Sequence, residues 1–145
     1  MSMLDLAFAP DVEAPAAARA ELANLGLEGA ERQAAMLLAS ELVTNCIRHA
    51  GVGRRQRIRL RALVTDTLVR IEVVDSGAGM SVVMRPGDDQ GGWGLRLVDR
   101  IADRWGVVRD AGTHVWFEID RPYRLTAPRP REFAGTEPLH FLAAD

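Results

Sequence analysis

Two stretches of this chain alternate strictly between apolar and charged residues, and this pattern restricts the fold more than any other feature. They are "RIRLRALV" at 57–64 and "LVRIEVVD" at 68–75. Successive side chains of a strand point to opposite faces, so each stretch predicts a strand with one apolar face. The polar "TDT" between them predicts an antiparallel hairpin. We expect Ile71 to face the core and Arg70 and Glu72 to face away from it.

Helices and further strands are predicted around this hairpin. An edge strand is expected within the apolar lead-in at 1–12. The other predicted elements are, in chain order, a helix from Ala14 to Leu25, a longer helix from about Ala30 to Ala50, a helix from Gly94 to Arg104, and strands at "WGVVRD" and "HVWFEID". Helices that cover one face of a mostly antiparallel sheet form an α+β fold, here a two-layer α/β sandwich.

The length and charge of the chain exclude several classes of protein. Its 145 residues are enough for one domain, which we assign to 1–120, followed by a proline-containing tail at 121–145. The net charge is −2 and all 18 basic residues are arginines. We therefore expect no direct binding of nucleic acid. Without lysine, the chain cannot contain a P-loop.

Cysteine content and hydropathy predict the compartment. The chain has one cysteine, Cys46, no segment typical of a signal peptide, and no apolar run near the roughly 18 residues that span a bilayer. A single cysteine forms no internal disulfide, which is typical of a reducing compartment. We therefore expect a cytoplasmic protein outside the membrane, in which Cys46 is a small buried side chain and not a nucleophile.

The helix over 30–50 carries a polar face opposite its apolar one. Glu41, Asn45 and Arg48 fall within about 60° of one another around the helix, and His49 lies beside them. A carboxylate can orient a water or a hydroxyl group, and an amide oxygen can bind a hard cation such as Mg²⁺. The alternative for this segment alone is an ordinary solvated helix face.

Two glycine-rich segments follow. In "VVDSGAGM", Asp75 ends a predicted strand and Gly77 and Gly79 follow at once, a pattern that lets the backbone approach a flat ligand. A carboxylate at that place can accept a hydrogen bond from an exocyclic amine. In "GGWGLRL", Gly91–Leu97, a glycine-rich loop enters a helix whose N-terminus can bind an anion. The alternatives are an ordinary β-turn and a flexible loop.

Together, in this order and spacing, the three motifs resemble the N box and the two glycine boxes of the GHKL ATP-binding fold, the family of gyrase and histidine kinases. "SELVTNCIRHA" and "GWGLRLVDRIADRWGV" are similar to the small bacterial anti-sigma-factor serine kinases and their actinobacterial relatives. The resemblance covers roughly Phe8 to Asp120. It implies a Bergerat-type fold that binds ATP and Mg²⁺, a sigma factor or an anti-anti-sigma factor as protein partner, and a possible homodimer.

The resemblance also implies roles for single residues. Glu41 matches the general base that takes the proton from a substrate hydroxyl, and Asn45 matches the Mg²⁺ ligand. Asp75 matches the carboxylate that accepts a hydrogen bond from the adenine amine. Arg48 and His49 match positions near the phosphates.

The glycine boxes supply the remaining nucleotide contacts that the resemblance implies. Gly77 and Gly79 would pass beneath the nucleotide, with Met80 directly after them. The second glycine box would hold the phosphates through backbone N–H groups; its matching residues are Gly92, Gly94 and Leu95.

Two features depart from the pattern of these kinases. A threonine that reaches adenine through water is expected at the place of His114, whereas Thr113 stands one residue earlier. A shift of one residue turns a strand side chain to the other face, so the departure leaves the adenine contact open, and Thr113 is retained as a candidate nucleotide-binding residue. The lid from Met80 to Gly91 is also short, and phosphoryl transfer depends on closure around the phosphates.

These features favour three possible functions to different degrees. A protein serine/threonine kinase that also holds a sigma factor is favoured by Glu41, because nucleotide binding alone needs no base. The alternative is a nucleotide-responsive binding module without kinase activity, which the short lid and His114 favour. A catalytic fragment of a histidine kinase is disfavoured, because no helical phosphoacceptor segment precedes residue 30.

Overall fold

A computed structural model describes residues 1–49, 57–75, 93–110 and 112–122 of the chain. Within them the elements follow in the order β1 (Ser2–Phe8), α1 (Ala14–Leu22), a 3₁₀ turn (Ala23–Leu25), α2 (Gly29–His49), β2 (Ile58–Val64), β3 (Leu68–Asp75), α3 (Trp93–Ile101), β4 (Arg104–Arg109) and β5 (Thr113–Asp120). The predicted lid and most of the predicted tail lie outside the described residues, and Arg121 and Pro122 are the part of the tail that is described.

The described strands pair into one antiparallel sheet in the order β1-β2-β3-β5-β4. The hairpin of β2 and β3 and the edge position of β1 are confirmed. Helices α1 and α3 both pack against α2, so the helices form one layer over the sheet. The predicted α+β two-layer sandwich is therefore confirmed.

The core lies between the helix layer and one face of the sheet. The strand register brings Ile71 of β3 opposite Ala62 of β2 and Phe117 of β5, and all three are buried. Leu38 and Leu42 of α2 are buried with them. Successive side chains of a strand point to opposite faces of the sheet. The apolar residues at every second position of β2 and β3 therefore face the helices and are buried against them.

The outer face of the sheet, opposite the helices, carries arginine–carboxylate pairs. Arg59 donates two hydrogen bonds to Asp5 at 2.6 and 2.7 Å, and these bonds lower the pKa of Asp5 below its ordinary value. The side chain of Glu72 points to this outer face, as predicted, but Glu72 is only 1% exposed. Arg61 lies 3.6 Å from one of its carboxylate oxygens, and His114 Nδ1 lies 2.6 Å from the other. The predicted outward carboxylate is therefore a buried ion partner rather than a solvated group.

Two helix ends differ from the sequence predictions. The last turn of the first predicted helix is a 3₁₀ turn, after which Gly26 adopts a left-handed conformation with φ of 77°. Helix α3 ends at Ile101 and not at Arg104, which begins β4. Arg104 donates to Glu118 Oε2 at 2.7 Å and also binds Asp120, and these contacts hold it in the sheet.

Arg121 joins three parts of the fold directly after β5. Its Nε donates to Glu31 Oε1 at the start of α2 over 2.6 Å, and its Nη1 donates to the backbone oxygen of Thr65 in the β2–β3 turn. Its backbone N–H donates to the Thr67 oxygen in the same turn. No helix in the described part of the chain has the length and hydropathy needed to cross a membrane.

Candidate functional site

The C-terminal half of α2 presents the predicted carboxylate and amide from one side of the helix. Glu41 and Asn45 are both half-buried, one turn apart, while Arg48 in the following turn is exposed. The other side of this segment is formed by Leu42, Val43 and Cys46, each at most 1% exposed. Glu41 and Asn45 therefore lie at the boundary between core and surface, where a side chain is both oriented by packing and accessible to a ligand.

His49 ends α2, but its side chain lies outside the described part of the structure. Its predicted place beside the phosphates stays a prediction.

Asp75 is a fully buried carboxylate at the end of β3, with 0% of the residue exposed. The register pairs it with Ile58 of β2 on one side and with Thr113 of β5 on the other. Residues directly opposite in neighbouring strands place their side chains on the same face of the sheet. Asp75 and Thr113, the latter 2% exposed, therefore lie side by side under the helix layer.

This register determines which face of the sheet the shifted threonine occupies. Thr113 lies on the same face as Asp75, while His114 points to the outer face and contacts Glu72. The faces of β5 are set by its pairing with β3, which counting residues from the preceding glycine does not reveal. A threonine therefore stands beside the candidate base-binding carboxylate, in spite of the departure in sequence.

Cys46 completes this corner from the helix layer. It follows Asn45 directly, is 0% exposed, and lies on the face of α2 that packs against β3. Burial, together with the negative charge of Asp75, raises the pKa of the Cys46 thiol to about 12. The thiol is protonated at neutral pH, which agrees with the predicted buried side chain and with the absence of nucleophilic character.

We name the three side chains of Cys46, Asp75 and Thr113 the base corner. The sequence identified Asp75 and Thr113 as candidate site residues but not Cys46. A cysteine among apolar residues of a helix predicts only a buried core side chain. The available signal was its position directly after Asn45, where the helix turns from its polar to its apolar face.

The start of α3 contributes the described part of the second glycine box. Leu95 is 4% exposed and packs into the core, which anchors the helix start. Gly94 belongs to α3, and Arg96 is half-buried on it. The other predicted glycine-box residues lie outside the described residues; they are Gly77, Gly79, Met80 and Gly92.

The chemistry of the base corner fits an aminopurine. An ionised carboxylate only accepts hydrogen bonds, a threonine hydroxyl both donates and accepts, and a protonated thiol is a weak donor. A base that offers an amine at that place can donate to Asp75, whereas a base with a carbonyl there would oppose it. The donor set therefore fits a base that carries an exocyclic amine, such as adenine.

The described residues fit a cation only together with a ligand that brings its own oxygens. No group of three or more histidine, cysteine or acidic side chains able to hold a metal occurs in the described ranges. Asn45 offers one amide oxygen. Mg²⁺ in proteins commonly takes one or two protein ligands and completes its shell with phosphate and water, and a single amide fits that arrangement.

Comparisons with known proteins agree with this geometry. Residues 8–119 match the histidine kinase-like ATPase domain family. An anti-sigma F factor of Caldanaerobacter subterraneus subsp. tengcongensis is 33% identical over 82 residues, which cover 50% of this chain and 57% of that protein. The solved structure of the RsbU and RsbW domains of Rv1364c from Mycobacterium tuberculosis superposes with a TM-score of 0.64 at 22% identity.

That superposition covers 92% of this chain and 34% of the Mycobacterium chain, and at this identity it concerns the fold alone. The resemblance to GHKL proteins of the anti-sigma-factor type is thus confirmed. The family model matches most of the chain, and its first and last matched residues lie at the end of β1 and the end of β5. The chain belongs to the histidine kinase-like ATPase domain family.

Proposed function

We propose that this protein binds ATP with Mg²⁺ and regulates a partner protein as a serine/threonine kinase of the anti-sigma-factor type. The observation that carries the proposal is the base corner beside the half-buried face of α2. A fully buried carboxylate, Asp75, lies next to Thr113 on the face covered by the helix that presents Glu41 and Asn45.

In this proposal Asp75 accepts a hydrogen bond from the adenine amine, and Thr113 contributes a second polar contact. Because both side chains are under the helix layer, the base is held away from water, and a charged hydrogen bond is worth more there than at the surface.

Asn45 binds the metal through its amide oxygen, and Arg48 and His49 neutralise phosphate charge. The backbone N–H groups at the start of α3, including those of Gly94 and Leu95, bind phosphate oxygens as helix N-termini do. The metal-bound nucleotide supplies the phosphoryl group that is transferred.

Glu41 acts as general base. It accepts the proton of a serine or threonine hydroxyl of the partner while that oxygen bonds to the phosphoryl group, and ADP leaves. Its half-buried position suits this role, since a base must be reached by the partner and yet be held in orientation by packing.

The relatives support the choice of partner. The name anti-sigma F factor describes a protein of which this chain matches 57%, and we transfer from it a sigma factor as binding partner. The anti-anti-sigma protein is the substrate that the resemblance of the sequence motifs implies. The proposal includes a homodimer, for which sedimentation equilibrium is the direct measurement.

The experiment is a transfer assay with labelled ATP, Mg²⁺ and the anti-anti-sigma-type proteins encoded in the same genome. We expect label on a serine or threonine of one of them. Glu41→Ala should lower the transfer rate by about 10²–10⁴-fold, the range for loss of a general base, with ATP affinity almost unchanged. Glu28→Ala, an exposed carboxylate before α2, is the matched control and should transfer normally.

If ATP binds but no partner is labelled by either protein, the kinase is refuted and a binding module without transfer remains. If calorimetry detects no binding of ATP and Mg²⁺, the whole proposal is refuted.

A further inference from the structure

The base corner also bears on which purine can enter it. Its three side chains come from three elements: Cys46 from α2, Asp75 from the end of β3, and Thr113 from the start of β5. They are 0%, 0% and 2% exposed. Thr113 lies beside Asp75 within the sheet, whereas Cys46 lies in the helix layer that packs on β3.

An amine that donates one hydrogen to a carboxylate turns its second hydrogen toward the groups around that carboxylate. A substituent in place of the second hydrogen needs space at the same point. Among the described side chains, Cys46, Thr113 and Ile58, the β2 partner of Asp75, are buried neighbours of this space. Ile58 and Thr113 are both fixed by strand pairing, so the side chain at position 46, which comes from the helix layer, sets the depth of the corner.

The thiol is suited to this role by size and not by charge. It is fully buried on the core side of α2 and follows Asn45 directly. A shift of α2 away from β3 would therefore also displace Asn45, the proposed metal ligand. Protein interiors are packed so closely that one added methyl group causes steric strain. Specificity against such a group in a preformed pocket is typically about 10–200-fold.

We propose that Cys46 is the specificity-determining residue that restricts this site to purines with an unsubstituted 6-amino group. The inference rests on the proposed function, because it assumes that Asp75 receives the adenine amine. It adds a residue of this chain that selects among adenine nucleotides.

The test compares the dissociation constants of ATP and N6-methyl-ATP, both with Mg²⁺, by isothermal titration calorimetry. The unmodified protein should bind N6-methyl-ATP roughly 10–200-fold more weakly than ATP. Cys46→Ala removes one heavy atom from the corner and should abolish most of this difference between the two nucleotides. Cys46→Ser keeps a side chain of similar size and should retain most of the discrimination.

Val69→Ala is the matched control. Val69 is also 0% exposed and lies on β3, but at the end opposite to Asp75. This variant creates a core cavity away from the corner and should keep the ratio of the unmodified protein.

Two results would overturn the inference while leaving the proposed function intact: equal binding of both nucleotides by the unmodified protein, or an unchanged ratio in Cys46→Ala. The same holds if Val69→Ala relaxes the ratio as much as Cys46→Ala does, because selectivity would then follow core packing in general. If neither nucleotide binds to the unmodified, folded protein, the proposed function itself fails.

Discussion

A buried carboxylate is costly unless its charge is compensated, and Asp75 is such a residue at the end of β3. Its neighbours in the base corner are a hydroxyl and a protonated thiol. A ligand that donates to the carboxylate therefore contributes more at this position than at the surface. In the proposed site, the preference for the base depends on this one side chain.

Replacing Asp75 with asparagine tests this dependence. The amide keeps the shape but removes the charge, so ATP binding should weaken by about 1.5–3 kcal/mol, as expected for a hydrogen bond to a charged group. Calorimetry measures the change directly. Asp66→Asn, in the exposed β2–β3 turn, serves as control and should bind like the unmodified protein. An unchanged dissociation constant for Asp75→Asn would remove Asp75 from the site.

At the residue scale, the sequence predicted which residues belong to the candidate site better than it predicted which of them lie next to one another. Asp75 stood out because a strand ended in a carboxylate before glycines. The position of Thr113 beside it depends on the pairing of β5 with β3, which is a long-range register. No local pattern reports that register, so the sequence left the contact of Thr113 open and did not single out Cys46.

At the scale of elements, helix and strand ends are decided by single residues. Gly26 ends the 3₁₀ turn after α1 with φ of 77°, and no atom lies within 4 Å of the place a Cβ would occupy. Any cost of a side chain at this position is therefore backbone strain alone. The neighbouring helix α2 starts three residues later, so the turn at Gly26 sets the angle between the first two helices.

Gly26→Ala should destabilise the protein by about 1–2 kcal/mol, the cost of a left-handed conformation for an ordinary residue. Gly26→Asn should cost less, because asparagine tolerates this region. The free energy of unfolding from urea titration measures both. If alanine is tolerated as well as asparagine, the strain assigned to this turn is absent.

The elements themselves were predictable because their periodicity is local. The strands β2 and β3 and the helix α2 differ from their predicted bounds by a residue or so. The end of α3 was not predictable from its apolar pattern, because Arg104 leaves the helix to bind Glu118 and Asp120 of β5.

At the scale of the whole molecule, Arg121 joins the sheet to the helix layer. It links the end of β5 to Glu31 at the start of α2 and to Thr65 between β2 and β3. Its side chain and that of Glu31 are 23% and 11% exposed, so the pair is largely shielded from solvent. Contacts between residues so distant in sequence follow from the closed fold and could not be predicted beforehand.

Arg121→Gln should lower the free energy of unfolding by about 2 kcal/mol, because it leaves the Glu31 carboxylate without its cation. Arg32→Gln removes an exposed arginine one residue further along α2 and should change stability by less than about 0.5 kcal/mol. Urea titration distinguishes the two. The ATP dissociation constant should be unchanged in both, because about 14 residues of helix, or roughly 20 Å, separate Glu31 from Asn45. An unchanged free energy of unfolding for Arg121→Gln would show that the pair of Arg121 and Glu31 does not hold the layers together.

The position of β5 between β3 and β4 has a consequence for biosynthesis. The ribosome releases α2, β2 and β3 well before β5, so a growing chain holds Asp75 and Cys46 without Thr113. Until β5 arrives, one long side of β3 keeps its backbone groups unpaired, which is the form in which unfinished chains associate with one another. In the proposed site, a nucleotide that contacts Thr113 would assist folding only in the last step, after the strand that carries Thr113 has left the exit tunnel.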